Sequence, residues 1–407
     1  MSQTSANVGQ MVGPASTPMR RNLSTKMRYA ARILPSLFRQ QVLGTHPKGR
    51  VHLIITLADH FEPAIMPGEG QRRASIDVQE QRLERWCKEY PILAREWRDN
   101  EGYPFRHTHF YPAEQFDPAL IDRLAEHCTQ GWGEIGIHLH HGVNEPDTAE
   151  NTRRTIADFR NQLERRNCLC YLDGSGPARY AFVHGNFALA NSAGGAMCGV
   201  DEEMQILADT GCYADLTLPA AVFDPAQISK TNSLYECGLP LTQRAPHSAG
   251  EDLAVGRSPR VFPLMVQGPL LLTRGPGWRP RIENAALVGT NPPSLRRLQT
   301  WKRAAVWVKG RPDWIFIKLH CHSMDPTHEH AVLGDGMRAF LKNLVAGASV
   351  RNEVLHFCTA REMVNIALAA CDGREGNPGE FRDSRLKRSR KRADGQSAKH
   401  SEVVTQR

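Results

Sequence analysis

No acidic residue occurs in the first 50 positions, which carry eight Lys or Arg. Together with ten Lys or Arg against five Asp or Glu over 374–407, that absence puts the net charge of +8 at the two ends of the 407-residue chain. Residues 51–373 hold 33 basic and 38 acidic side chains, so the body is mildly acidic and no nucleic-acid partner is expected for it. No apolar run approaches the roughly 18 residues that span a bilayer, and the N-terminus lacks the compact apolar core of a signal peptide. Cys-x-x-Cys is also missing: of ten cysteines only Cys168 and Cys170 lie close together, which excludes a zinc ribbon. Reduced thiols in a cytoplasmic setting are the expectation. Neither a Gly-x-Gly-x-x-Gly nor a Walker loop occurs, so nucleotide chemistry is not indicated. What remains is a chain with 41% hydrophobic and 23% charged residues, a composition that supports a real core.

Three regions follow from the charge and pattern. Residues 1–50 form a basic N-terminal segment in which Asn22 to Leu43 reads as an amphipathic helix interrupted by Pro35. Docking of that helix on the domain is preferred, with peripheral contact at the inner membrane face left open. Residues 51–372 form the body, and 373–407 a basic tail expected to be disordered. Within the body, strand-like runs at Val51–Leu57, His107–Tyr111, Ile135–Leu139, Ala181–Val183, Asp215–Leu218, Val261–Val266, Leu270–Thr273, Trp314–Leu319 and Val354–Phe357 alternate with helical ones. Among the helices, Val78 to Arg98 carries Leu83, Trp86, Tyr90, Leu93 and Trp97 at three-and-four spacing, with Pro91 expected to kink or split it. Repeated strand and helix units predict an α/β fold, best drawn as a single β/α barrel of about seven strands with helices outside. An open doubly wound sheet is the alternative.

Two histidine clusters follow strand-like runs: Ile135-Gly136-Ile137-His138-Leu139-His140-His141 and Ile315-Phe316-Ile317-Lys318-Leu319-His320-Cys321-His322. They hold five of the 17 histidines, and Val51–Leu57 delivers Asp59 and His60 at its end. Neutral imidazole is a common ligand for zinc-like metals and the usual acid or base near neutral pH. A barrel gathers its site where strands end, which singles out Asp59, His60, His107, His109, His138, His140, His141, His184, Asn186, Asp215, His320 and His322. Residues two apart on a strand share a face, so His138 pairs with His140 and His320 with His322. For each residue alone a structural role is the plainer reading, His322 as a cap on the loop 323–327 among them, while Cys321, between two histidines, reads equally as a nucleophile or as an inert strand cysteine. The gathering on five strands, with Asp215 on a sixth, favours a metal-dependent hydrolytic site, with Asp59 a natural carboxylate ligand.

The order of Thr56-Leu57-Ala58-Asp59, Glu134-Ile135-Gly136-Ile137-His138 and Leu319-His320 resembles the polysaccharide deacetylase superfamily, the NodB-homology or carbohydrate esterase family 4 group. The Glu-Ile-Gly-Ile-His-Leu-His-His and Val-His-Gly-Asn stretches are similar to a branch associated with exopolysaccharide gene clusters. The resemblance implies a seven-stranded barrel that binds a divalent metal, zinc or similar, through one aspartate and two histidines. It places the metal aspartate on Asp59 and the first metal histidine on His138, with His140 or His141 standing in for the second, since the expected position is Gly142. The family's catalytic base falls on Ala58, so Glu62 or Asp215 would replace it. His320, helped by His322, would protonate the leaving group, and His184, Asn186 and Asp215 would meet an acetylated glycan or glycan precursor. Trp132, Phe187 and Tyr213 would offer sugar-stacking surface, with core packing as the alternative. The function implied is N- or O-deacetylation of a polysaccharide. An amidohydrolase- or phosphoesterase-like metal hydrolase and a non-catalytic glycan-binding or assembly protein remain the alternatives.

Overall fold

The computed structural model describes residues 49–388 apart from 221–223, 225, 249 and 275–279, together with residues 31, 33–35, 37, 38, 40 and 47. Eight parallel strands organise it: β1 (Val51–His60), β2 (His107–Pro112), β3 (Gly133–Leu139), β4 (Ser175–His184), β5 (Cys212–Asp215), β6 (Leu264–Val266), β7 (Trp314–Cys321) and β8 (Glu353–Cys358). Seven of them pair in the order β7-β1-β2-β3-β4-β5-β6. β1 is longer than its neighbours and carries three of them. β7 runs along one edge, while the other edge takes β8 from Val51 to Thr56 and β2 from Leu57 to His60. Near-continuous Val, Ile and Leu in β1 fit a strand covered on both faces. Leu53, Ile55 and Leu57 join the outer core under Trp86 and Tyr90, whereas Ile54 and Ala58 face an inner core with Phe110, Val183 and Phe316.

The fold is therefore a mixed α/β structure with a large parallel sheet, but the ladder does not close into a barrel among the described residues. Its seam lies between β6 and β7. There Lys318, on β7, reaches across to donate from Nζ to the carbonyl of Leu216 at 2.7 Å, just beyond β5. Backbone pairing goes elsewhere at that seam: β7 takes Ala286–Leu287 and β6 takes Leu234–Glu236.

Helices α1 (Ile76–Glu96), α2 (Pro118–His127), α3 (Ala149–Arg165), α4 (Glu203–Thr210), α5 (Leu295–Arg303), α6 (Asp335–Gly347) and α7 (Ala360–Cys371) occupy the intervals between strands. Pro91 does not split α1; it lies buried inside one continuous helix. The missing hydrogen bond costs about 3 kcal/mol, and burial of Leu83, Trp86, Tyr90 and Leu93 on one stripe offsets it. At α3 the cap is Thr148, whose hydroxyl accepts from Asn151 N, and Asp147 is thereby left free for another task. α7 begins with a full capping box between Thr359 and Glu362.

The C-terminal end corrects the sequence reading. The segment after 372 is built into the body as far as residue 388: Leu386–Lys387 pairs with Cys170–Leu172, and buried Arg382 donates to Asp99 and to the Phe357 carbonyl, both at 2.7 Å. Residues 389–407 lie outside the described residues. At the other end Ile33 and Leu37 are buried against Leu270, and Gln40 bonds Thr231 and Asn232. The rest of the Asn22 to Leu43 stretch lies largely outside the described residues. Among those described, no helix is long and apolar enough to cross a membrane.

Candidate metal centre and active site

The pleat of β1 decides which residues reach the mouth. Asp59 follows Leu57 onto the outer face, where its Oδ2 accepts from His107 Nδ1 at 3.0 Å and from Ser323 Oγ at 2.6 Å. Its Oδ1 accepts from Ser323 N at 3.0 Å and Cys321 Sγ at 3.2 Å. Burial alone would raise its pKa, but His107, which bonds it, and His109, whose Nδ1 lies 3.7 Å from Oδ2, hold it well below the usual range. Asp59 accordingly groups with His107 and His109, apart from His138. Its position as metal ligand beside His138, implied by the resemblance, is not what the structure shows; it pins the β7 loop that carries His322.

His60 takes the inner face and opens the site. Its ring lies 4.7 Å from that of His138, 4.5 Å from that of His322 and 6.4 Å from that of His320, centroid to centroid. Two residues on, Glu62 turns its carboxylate onto the β3 pair. Oε1 lies 2.8 Å from His138 Nε2 and 3.2 Å from His140 Nε2. The expected sharing of a face by His138 and His140 holds. His141 points the other way, toward Asp147 and Glu203.

The two β3 histidines are oriented from behind. His138 Nδ1 lies 2.9 Å from the Val183 carbonyl, which fixes the ring from behind, while its Nε2 faces Glu62. His140 Nδ1 lies 2.9 Å from Oε1 of Glu114, which follows β2. A backbone carbonyl and a carboxylate on the distal nitrogens are what metal-bound imidazoles ordinarily have. Gly185 makes room for this, since a Cβ there would stand 2.3 Å from the His140 ring. Burial disfavours charge on His140, yet the Glu114 and Glu62 carboxylates push it up to about 10. Burial would raise Glu62 too, but His138 and His140 hold it well below its ordinary value.

The donor sets suit a metal. Glu62 with His138 and His140 forms one, and Glu62 with His60 and His322 forms another. Buried His60 Nδ1 and His320 Nδ1 have no hydrogen-bond partner, which is costly unless water or an ion meets them. Burial keeps His60 and His320 far below the usual imidazole pKa, hence neutral near pH 7. Phe187, half-buried, has its ring 6.0 Å from that of His60 and 6.5 Å from that of His320.

Other expected site residues go elsewhere. His184 faces His141, with Nε2 to Nε2 at 3.0 Å, and takes no place at the mouth. Asn186 is half-buried beside it, its backbone N–H on His184 Nδ1 at 3.2 Å and its side-chain Nδ2 unpaired. Asp215 is fully enclosed and spent on Thr217, whose hydroxyl donates at 2.6 Å; burial pushes its pKa up to about 7. Cys321 is buried, bonded to Asp59 and raised well above the ordinary thiol pKa, so it is no nucleophile. Trp132 and Tyr213 are core residues, leaving Phe187 as the aromatic at the mouth. Glu114, Cys198 and Glu203 went unnoticed in the sequence; no local pattern marks them, and only the chain's return brings them to histidines.

No family model and no curated protein matches the chain. Among solved structures, one from Mycobacterium smegmatis described as a "putative polysaccharide deacetylase" aligns over 80% of this chain and 92% of its own, with 14% identity and a TM-score of 0.36. A likeness of that size carries no argument about activity.

Proposed function

We propose that the protein is a metal-dependent hydrolase that removes acetyl groups from a glycan or glycan precursor. What carries the reading is the convergence of Glu62 Oε1, His138 Nε2 and His140 Nε2, each histidine braced on its far nitrogen, at a mouth that His320 borders. A divalent cation held by these three residues would supply a bound water of lowered pKa and polarise the acyl oxygen. Neutral His320 would accept the proton of the attacking water and return it to the departing amine or alcohol as the acyl bond breaks. One imidazole then serves in both directions, which answers the alanine at position 58. His322 and His60 would orient the acyl group, and Phe187 would lie against a sugar ring. The motif order that resembles the deacetylases supports the acetyl-glycan choice.

Glu62 belongs to two donor sets, and that observation favours a second reading: a bridged two-metal phosphoesterase or amidohydrolase. Acetate and phosphate release separate the two. Purified enzyme loaded with zinc should release acetate from acetylated oligosaccharides, and Glu62→Gln and His138→Ala should abolish it. Phosphate release from phosphoesters with no acetate release would overturn the deacetylase reading in favour of the second.

A further inference from the structure

We infer that the chain holds a second, structural zinc site made by His141, His184, Cys198 and Glu203, distinct from the mouth. All four residues are buried, and their donor atoms lie within 4.8 Å of one another. His141 Nε2 lies 3.0 Å from His184 Nε2 and 3.1 Å from Glu203 Oε1; Glu203 Oε1 lies 3.7 Å from His184 Nε2, and Cys198 Sγ lies 3.5 Å from Glu203 Oε2. Tetrahedral zinc with bonds of about 2.0–2.3 Å sets its ligand atoms roughly 3.3–3.7 Å apart, close to this spacing.

Charge points the same way. A thiolate and a carboxylate neutralise a divalent ion, so the occupied site would bury no net charge. His141 Nδ1 rests 2.9 Å from Asp147 Oδ2, which also accepts from Thr152 Oγ1 at 2.8 Å, so the carboxylate brace expected behind a zinc-bound imidazole is present. Glu203 Oε2 accepts from Ala190 N at 2.6 Å, leaving Oε1 aimed at the histidines. Four protein donors with no solvent-facing position make a closed site, which is the structural type.

The site has a job to do in the fold. It joins the ends of β3 and β4 to α4 through the segment 185–202, where Phe187, Ala190, Asn191 and Met197 all have positive φ, between 50° and 64°. Such backbone persists only when its surroundings hold it. That segment carries Phe187 to the mouth, so the ion would fix the wall of the catalytic site without touching substrate. Without metal, the alternative is a proton-shared network in which His184 Nε2–H donates to His141 and Asn186 N–H donates to His184 Nδ1 at 3.2 Å. Zinc at His184 Nε2 puts the ring proton on Nδ1 and turns that amide away.

Cysteine makes the two sites separable, because Cys198 is the one thiol in any of the four donor groups found among the described residues. Full-length protein loaded with cobalt(II) should show a near-ultraviolet thiolate-to-cobalt charge-transfer band. The band should vanish in Cys198→Ser and His184→Ala and persist in His138→Ala. Zinc per chain, measured on the same proteins purified with zinc, should fall by one equivalent in Cys198→Ser. A cobalt-loaded wild type without the band, or a Cys198→Ser protein that keeps the band or its full zinc, would overturn the inference. The wild-type spectrum is decisive even where a variant fails to fold. Zinc unchanged in His138→Ala would instead sink the proposed catalytic centre alone.

Discussion

Replacing Asp59 by Asn separates a metal ligand from a residue that pins a loop. The substitution keeps an oxygen where Oδ1 accepts from Ser323 N and Cys321 Sγ, and puts an NH2 where Oδ2 accepts from Ser323 Oγ and His107 Nδ1. The serine hydroxyl can rotate to accept, and His107 can move its proton to the unpaired Nε2, so neither contact becomes a hard clash. What is lost is the charge on two buried hydrogen bonds, each worth roughly 1.5–3 kcal/mol with an ionised acceptor. A net loss of about 2–4 kcal/mol in urea-unfolding stability at pH 7 follows, with zinc content unchanged. Because the folded carboxyl is held below its ordinary range, its contribution is present above the unfolded pKa of about 4 and lost as pH falls through and below it. The gap between wild type and variant should therefore narrow in acid. Zinc lost with stability unchanged would refute this placement of Asp59.

Lys318→Met should remove a pH dependence. Burial depresses Lys318 to about 7, so the unfolded chain binds more protons between pH 7 and the usual lysine range, and wild-type stability should rise with pH across that window. The variant should gain roughly 2 kcal/mol at pH 7, net of the lost bond to Leu216, and little near pH 10; unfolding curves with the opposite slope would contradict the assignment. Gly142→Ala puts a Cβ 2.1 Å from the Cys198 carbonyl oxygen at a φ of +62°, and should cost about 2 kcal/mol or more of stability by thermal unfolding. An unchanged midpoint would mean that the 142 and 198 turns are not locked together. His320→Gln should lower kcat by roughly 10²–10⁴-fold at unchanged zinc content, and activity near wild type would remove His320 from the proton path.

The strand alternation visible in the sequence carried the His138 and His140 pair, and the same rule already sent His141 to the opposite face. Around β1 the motif likeness and the pleat disagreed: aligning Asp59 with a family aspartate ignored that an adjacent residue must point away from it. His60 and Glu62 reach the mouth because β1 runs on to residue 60, three positions past the apolar run that marked it. A mostly parallel sheet followed from the repeated strand and helix units, but no periodicity announces the short β5 and β6 beside the seam. Arg382 looked like tail because its partners, Asp99 and the Phe357 carbonyl, are remote in sequence. Long-range ion pairs leave no local signature.

The most direct test of the catalytic centre is an anomalous difference map at the zinc edge from crystals of the zinc-loaded protein. A peak should stand about 2.0–2.2 Å from Glu62 Oε1, His138 Nε2 and His140 Nε2. No peak at these three residues, or a peak at Asp59 with His107 in its place, would contradict it.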